Sequence, residues 1–224
     1  MAHEIDMTTG RAAMAYTGET PWHGLGHHLP EGASIETWQV AAGMDWRVQR
    51  SRVRFATSCN PEVLQTWGKQ HVLFRSDTKA PLGVVSDRYN IVQPAQVLEF
   101  FRDLVESAGF VLETAGCLFD GRRFWALARV TQDIKMLDVR DTVGGYILLS
   151  TSADGTQATT ARRTMIRVVC NNTLTAAFRE GKSIFSLTHH AEFNPDDARK
   201  QLGIDKPEEV RSGFEDAMDQ LRAL

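Results

Sequence analysis

Three stretches set arginines at the two-residue period of a β-strand. They are Arg50, Arg52 and Arg54 in Trp46–Phe55; Arg123 and Arg129, with Trp125 and Leu127 between them, in Arg122–Val130; and Arg163 and Arg167, flanking Met165, in Thr159–Val169. Strand side chains alternate between faces, so each stretch presents guanidinium groups on one face, about 7 Å apart for residues two positions apart. Such rows neutralise phosphates, with an affinity dominated by counterion release and therefore by salt. Trp125, placed among the cations, would stack a base, a contact worth about 1–3 kcal/mol. The chemistry is charge pairing and stacking, with no proton transfer. It requires the rows to share one open side of one sheet, since single arginine rows also occur on ordinary solvated strands.

Other reactive side chains suggest less. His23, His27, His28, His189 and His190 lack an HExxH or Cys/His ligand spacing, so no metal site is expected. Cys170 with a histidine such as His189 would form a thiol nucleophile, but its apolar strand face marks it as buried. The odd, widely spaced Cys59, Cys117 and Cys170 read as buried reduced thiols. Asp120 and Asp154 sit in turn sequences, Phe-Asp-Gly and Ala-Asp-Gly-Thr, which account for them without catalysis. With neither a Walker loop nor GxGxxG, no nucleotide cofactor is expected, and none of any other kind.

Charge is unevenly placed. Residues 40–182 carry 19 Lys/Arg against 14 Asp/Glu, while both flanks are acidic and the chain of 224 residues totals −3. An acidic average therefore does not exclude a polyanionic partner for the middle of the chain. No apolar run reaches the roughly 18–20 residues of a membrane span, and the N-terminus lacks a signal-peptide pattern, so a cytoplasmic protein is expected.

The elements that must position the rows follow from periodicity. Residues 1–33 read as an extended N-terminal arm, 34–190 as an α+β core domain and 191–224 as a helical C-terminal extension. Ser34 caps a short helix running to Gly43. Trp46–Phe55 is a strand with a phase conflict, since Trp46 and Val48 share a face with the three arginines while Val53 and Phe55 lie opposite. A bulge or twist between Val48 and Val53 would resolve it. Pro61–Trp67 suits one or two helical turns. His71–Arg75 and Leu82–Ser86 form a hairpin, Pro94 opens a helix that ends at Gly109, and Phe110–Leu118 with Arg122–Val130 form a second hairpin. Residues 131–144 read as polar loop. Tyr146–Thr151 and Thr159–Val169 are strands, Asn171–Thr173 caps a helix through Phe178, and Ile184–His190 is a further strand. A terminal helix from Asp205 carries Val210, Phe214, Ala217, Leu221 and Leu224 on one side. The expected fold is α+β: an antiparallel, hairpin-built sheet with a helix packed on one face, an extended N-terminal arm and an amphipathic C-terminal helix.

Four motifs carry a resemblance: Pro-Trp-His-Gly-Leu-Gly at 21–26, Leu-Gly-Val-Val-Ser-Asp-Arg-Tyr-Asn-Ile-Val-Gln at 82–93, Glu-Thr-Ala-Gly at 113–116 and Arg-Val-Val-Cys-Asn-Asn-Thr-Leu at 167–174. Across roughly residues 3–190 the chain resembles phage/plasmid-like proteins built on a domain of unknown function. That setting implies work on nucleic acid. The hairpin–helix–hairpin order is more remotely similar to single-strand annealing recombinases, a fold-level analogy. Together these resemblances imply a single-stranded DNA-binding and annealing protein, with RNA as an alternative strand, acting without catalysis as a homo-oligomer such as a ring. The alternatives are a metal- or thiol-dependent enzyme and a protein-binding inhibitor of host defence.

Overall fold

The computed structural model of the chain describes residues 3–106, 108–130 and 145–201, with the backbone of 134–135 and 142–143 between them. In chain order the elements are β1 (Met14–Tyr16), β2 (His27–His28), α1 (Ile35–Ala41), β3 (Val48–Thr57), β4 (Asn60–Arg75), β5 (Pro81–Ser86), α2 (Pro94–Glu99) and α3 (Arg102–Glu106). Then come β6 (Val111–Leu118), β7 (Arg123–Arg129), β8 (Ile134–Lys135), β9 (Thr142–Val143), β10 (Tyr146–Ser152), β11 (Thr159–Thr164), α4 (Asn171–Glu180), β12 (Lys182–Leu187) and α5 (Pro195–Gln201). The terminal helix expected from Asp205 lies outside the described residues.

A seven-stranded sheet runs β12-β11-β10-β7-β6-β1-β2, antiparallel except for β1–β2, and a three-stranded antiparallel sheet runs β3-β4-β5. This is the expected α+β architecture. The N-terminal arm joins the sheet, because β1 pairs with β6 through Met14–Gly116 to Tyr16–Thr114. Gly116 is required there: a Cβ would lie 2.6 Å from the Ala13 carbonyl oxygen.

The seven-stranded sheet buries both faces. On one, Phe124, Ala126, Ala128, Ile147 and Leu149 pack with Trp38, Val97, Leu98 and Phe101 from the helices α1 and α2 and the turn that follows α2. On the other, Trp125, Leu127, Leu148 and Tyr146 pack with Val168, Val169, Leu174 and Ala177. The second cover begins where β11 stops. Thr164 Oγ1 accepts the Ile166 amide at 3.0 Å, removing that donor from the ladder, and the chain bends into α4. The strand expected over Thr159–Val169 is therefore cut at Thr164, so Arg163 and Arg167 do not share a row. Cys170 is the N-cap residue of α4, where the Thr173 hydroxyl accepts the Val169 and Cys170 amides at 2.9 and 3.0 Å.

Three other expectations change, the first being that 131–144, read as polar loop, contains the antiparallel pair β8–β9. Pro61–Trp67 is strand, because Leu64–Trp67 pairs with Val53–Ala56 of β3 and a local helical pattern yields to that ladder. The helix expected from Pro94 to Gly109 breaks at Phe100–Phe101, where both rings are fully buried. Arg199 of α5 fits the break, donating to the Glu99 carbonyl at 2.8 Å and pairing with Asp103 at 3.0 Å.

Candidate nucleic-acid interface

The β3–β4 hairpin is the longest ladder of the three-stranded sheet, and most of it stands clear of the body. Its foot is tightly held. Val48 gives its amide to Gln93 Oε1 at 2.8 Å and takes Gln93 Nε2 on its carbonyl at 3.1 Å. Arg75, 1% exposed, donates to Asp77 at 3.0 and 2.8 Å and to Asp6 at 2.5 Å, with its guanidinium 4.3 Å from the Trp46 ring centroid. Burial opposes that charge, but the hydrogen bonds Arg75 donates to Asp77 and Asp6 outweigh it and raise the Arg75 pKa.

Beyond this foot, register assigns the faces. Arg50 pairs with Leu73, Arg52 with His71 and Arg54 with Thr66, while Ser51 pairs with Val72, Val53 with Trp67 and Phe55 with Gln65. The register shift between Arg52 and Val53 inserts Gly68, Lys69 and Gln70 into β4 and leaves β3 unbroken. The phase conflict in β3 is thus settled by burial: Val48 belongs to the core, and from Gln49 outward the strand leaves it.

One face of the hairpin presents Arg50, Arg52 and Arg54, all exposed and none in an ion pair among the described residues. The other presents Val53, Phe55 (42% exposed) and Trp67 (53% exposed), continued by Val72 and its β5 partner Val84 (55% exposed). Residues 48–74 hold four cations, Arg50, Arg52, Arg54 and Lys69, against the single carboxylate of Glu62. Because β3 is an edge strand, a polyanion along that edge meets guanidinium groups from one face and the Phe55 ring from the other.

The remaining expected residues do not join this surface. Trp125 is fully buried beneath the α4 layer and donates Nε1–H to Thr114 Oγ1 at 3.3 Å, so it offers no face to a base. The alternation in β7 was legible; the second core covering that face was not. Arg123 is half-buried with its guanidinium 5.4 Å from the Phe119 ring centroid; burial lowers its pKa, opposed by Asp154. Arg129 and Arg167 are locked in carboxylate pairs: both flank Glu113, Arg167 Nε at 2.7 Å and Arg129 Nε at 3.5 Å, and Arg129 also reaches Glu31 at 3.0 Å. Glu113 occupies the β6 bulge between Leu112 and Thr114. Arg163 lies opposite Ile147, on the sheet face away from Arg123 and Arg129. The three rows therefore do not converge, and of the three only the β3 row is open, exposed and without ion pairs among the described residues.

The reading of Pro61–Trp67 as helical turns hides Trp67, and Lys69 falls between that segment and the His71–Arg75 strand. Their signal was the unbroken run from Asn60 to Arg75 facing an equally polar-apolar β3. Cys59, expected buried, is exposed between β3 and β4, while Cys117 and Cys170 are buried. Among the described residues no group of three His, Cys, Asp or Glu is placed to hold a metal, and no helix is long and apolar enough to cross a membrane. A cleft of about 920 Å³ lined by Arg11, His27, Glu36, Asp45 and Asp77 mixes both charges and is unsuited to a polyanion.

The fold and this surface define an α+β protein with a seven-stranded sheet covered on both faces and a separate three-stranded sheet from which a basic hairpin projects. Residues 81–224 match the family described as Domain of unknown function (DUF932), and the chain belongs to that family. No curated protein and no solved structure matches it.

Proposed function

We propose that this protein binds single-stranded nucleic acid without catalysis, through the β3–β4 hairpin. The observation that carries the reading is the row Arg50, Arg52 and Arg54, exposed on the edge strand β3 and in no ion pair among the described residues. Phosphates pair with these arginines, and Phe55 and Trp67 supply rings on which bases stack in a sequence-tolerant way. Holding a strand extended with its pairing edges free is what annealing requires, and needs no acid, base or nucleophile. The likeness to phage/plasmid-like proteins supports a mobile-element setting in a cytoplasm. The exposed edge and apolar hairpin face support assembly of several copies on one strand, as a homo-oligomer.

Titration of a labelled oligonucleotide across a salt series tests the reading. The expected result is binding that weakens linearly on a log–log plot; absence of binding at low salt removes it. A second reading, a protein-binding inhibitor, is favoured by Trp22, which is 68% exposed on an arm fastened by the 3.0 Å contact of His23 Nε2 with the Val169 carbonyl. Trp22→Ser leaves oligonucleotide affinity unchanged if the hairpin is the contact.

A further inference from the structure

The turn between β6 and β7 carries two guanidinium groups that the fold leaves unneutralised. Elsewhere half-buried arginines find acceptors. Arg129 and Arg167 flank Glu113, Arg162 donates to the Phe178 and Gly181 carbonyls at 2.8 and 2.6 Å, and Arg199 pairs with Asp103 at 3.0 Å. Arg123 has neither an ion pair nor a hydrogen bond among the described residues, and its Nε is sealed from solvent without an acceptor. Its guanidinium lies 5.4 Å from the Phe119 ring centroid. A phenyl face attracts a cation but leaves the N–H fork of a guanidinium without oxygen acceptors. Burial accordingly lowers the Arg123 pKa, and Asp154 only opposes this from a distance. The Asp154 carboxylate is held by Thr156, whose amide and hydroxyl donate to its Oδ1 at 2.9 and 2.6 Å.

Arg122 brings a second charge to the same ring. Its guanidinium lies 6.0 Å from the Phe119 centroid, its Nε donates to the Phe119 carbonyl at 2.9 Å, and the residue is exposed. It too has no ion pair among the described residues, and Asp120, exposed in the same turn, pairs with neither arginine. The turn is firmly seated. Phe119 gives its amide to the Glu4 carbonyl at 3.0 Å, and Gly121 gives its amide to the Leu118 carbonyl at 3.1 Å. Gly121 sits so close to the hairpin's foot that a Cβ there would lie 2.7 Å from Arg75 Nη1. Two like charges are thus held over one ring, with their terminal nitrogens lacking acceptors.

We infer that Arg122 and Arg123 form a binding site for a phosphate-type oxyanion at the β6–β7 turn. The planar fork of an arginine matches two oxygens of such an anion, and paired cations favour its double charge over the single charge of a carboxylate. The site does not rest on the nucleic-acid reading. Its place beside the hairpin's foot allows two sources for the phosphate, a free anion or the strand that the β3 row holds.

Thermal unfolding and titration calorimetry with inorganic phosphate, against chloride at equal ionic strength, test the site. The expected result is one phosphate per chain and a rise in melting temperature that chloride does not give. Arg123→Met keeps an apolar stem and removes the charge. It is expected to weaken phosphate about tenfold or more, while the phosphate-free variant melts no lower than the parent protein, because a guanidinium without acceptors is gone. Arg122→Met, at an exposed position, is expected to weaken phosphate about threefold with melting unchanged. A parent protein that binds no phosphate overturns the site, as does equal binding in the parent and both variants. Phosphate-free Arg123→Met melting well below the parent also overturns it, since the fold would then already satisfy that guanidinium. A labelled oligonucleotide assigns the source. Affinity that falls in Arg123→Met, with a salt slope lower by about 0.7, places the phosphate in a strand. Unchanged oligonucleotide affinity with inorganic phosphate lost assigns the site to a free phosphate or small phosphate ester. An oligonucleotide that fails to bind the parent protein removes the hairpin reading and leaves the phosphate result standing.

Discussion

Replacing Arg50, Arg52 and Arg54 together by alanine tests the hairpin most directly. The three lie on one face of one strand, exposed and without ion pairs among the described residues, so each is free to meet a phosphate. A single-stranded contact contributes about 0.7 to the slope of log K against log salt, so losing three lowers the slope by about 2. That term vanishes near 1 M salt, so at about 0.1 M the same loss weakens binding roughly 100-fold. Stability changes little, because exposed substitutions away from packed features fall within about 0.5 kcal/mol each. Fluorescence anisotropy of a labelled oligonucleotide, from about 0.05 to 0.5 M salt, reads both slope and affinity. A slope within half a unit of the parent protein's would mean that phosphates are held elsewhere and would refute the assignment.

The other predictions concern the residues that proved structural. Trp125→Ala removes a fully buried ring and is expected to cost about 3–5 kcal/mol in urea unfolding, with oligonucleotide affinity of the folded fraction unchanged. Glu113→Gln leaves the partly buried Arg129 and Arg167 without their shared carboxylate and is expected to cost about 2–4 kcal/mol by the same assay. The hydrogen bond from Arg102, helped by the local backbone and Ser34, lowers the Glu36 pKa from 4.5 to about 2. A depressed carboxylate stabilises the fold fully above its unfolded value and loses that contribution as pH falls through its folded value. The stability difference between the parent protein and Glu36→Gln should accordingly be constant above pH 4.5 and shrink towards pH 2. In native protein a thiol reagent should modify Cys59 alone, with Cys117 and Cys170 reacting only on unfolding; a fast reaction at Cys170 would reopen the thiol-enzyme reading.

How far the sequence could be read depended on whether a feature was local. Ser34 capping α1, the Phe119-Asp120-Gly121 turn with three positive φ angles, and the alternation of Phe124, Ala126 and Ala128 all follow from neighbours within a few residues. The open or buried state of the opposite β7 face does not. It depends on Val168, Val169 and Leu174 folding back over Trp125, a packing set by the bend after Thr164. The same limit hid the pairs of Arg129 and Arg167, since their carboxylate, Glu113, is aimed by a bulge in a different strand. Arginine spacing thus identified the candidate cations, but not which of them had already been neutralised by the fold.

The surviving surface also bears a particular relation to the family. The match covers 81–224, whereas the hairpin runs from Val48 to Arg75 and precedes it. Yet part of the socket that fixes the hairpin lies inside the match: β5 pairs with β4 over Val72–Val84 and neighbouring residues, and Gln93 closes both backbone groups of Val48, while Arg75 is held from outside it by Asp6, Asp77 and Trp46. A lever needs a rigid mount, and the matched segment supplies the β5 and Gln93 side of it, together with strands β6, β7, β10, β11 and β12 of the large sheet. Gln93→Ala separates the roles. It removes two hydrogen bonds at the foot without touching a cation, so oligonucleotide affinity should fall while the salt slope, which counts phosphates, stays the same. A fall in slope instead would show that the arginines reach phosphates only when the foot is locked, and would tie the contact surface to the family segment itself.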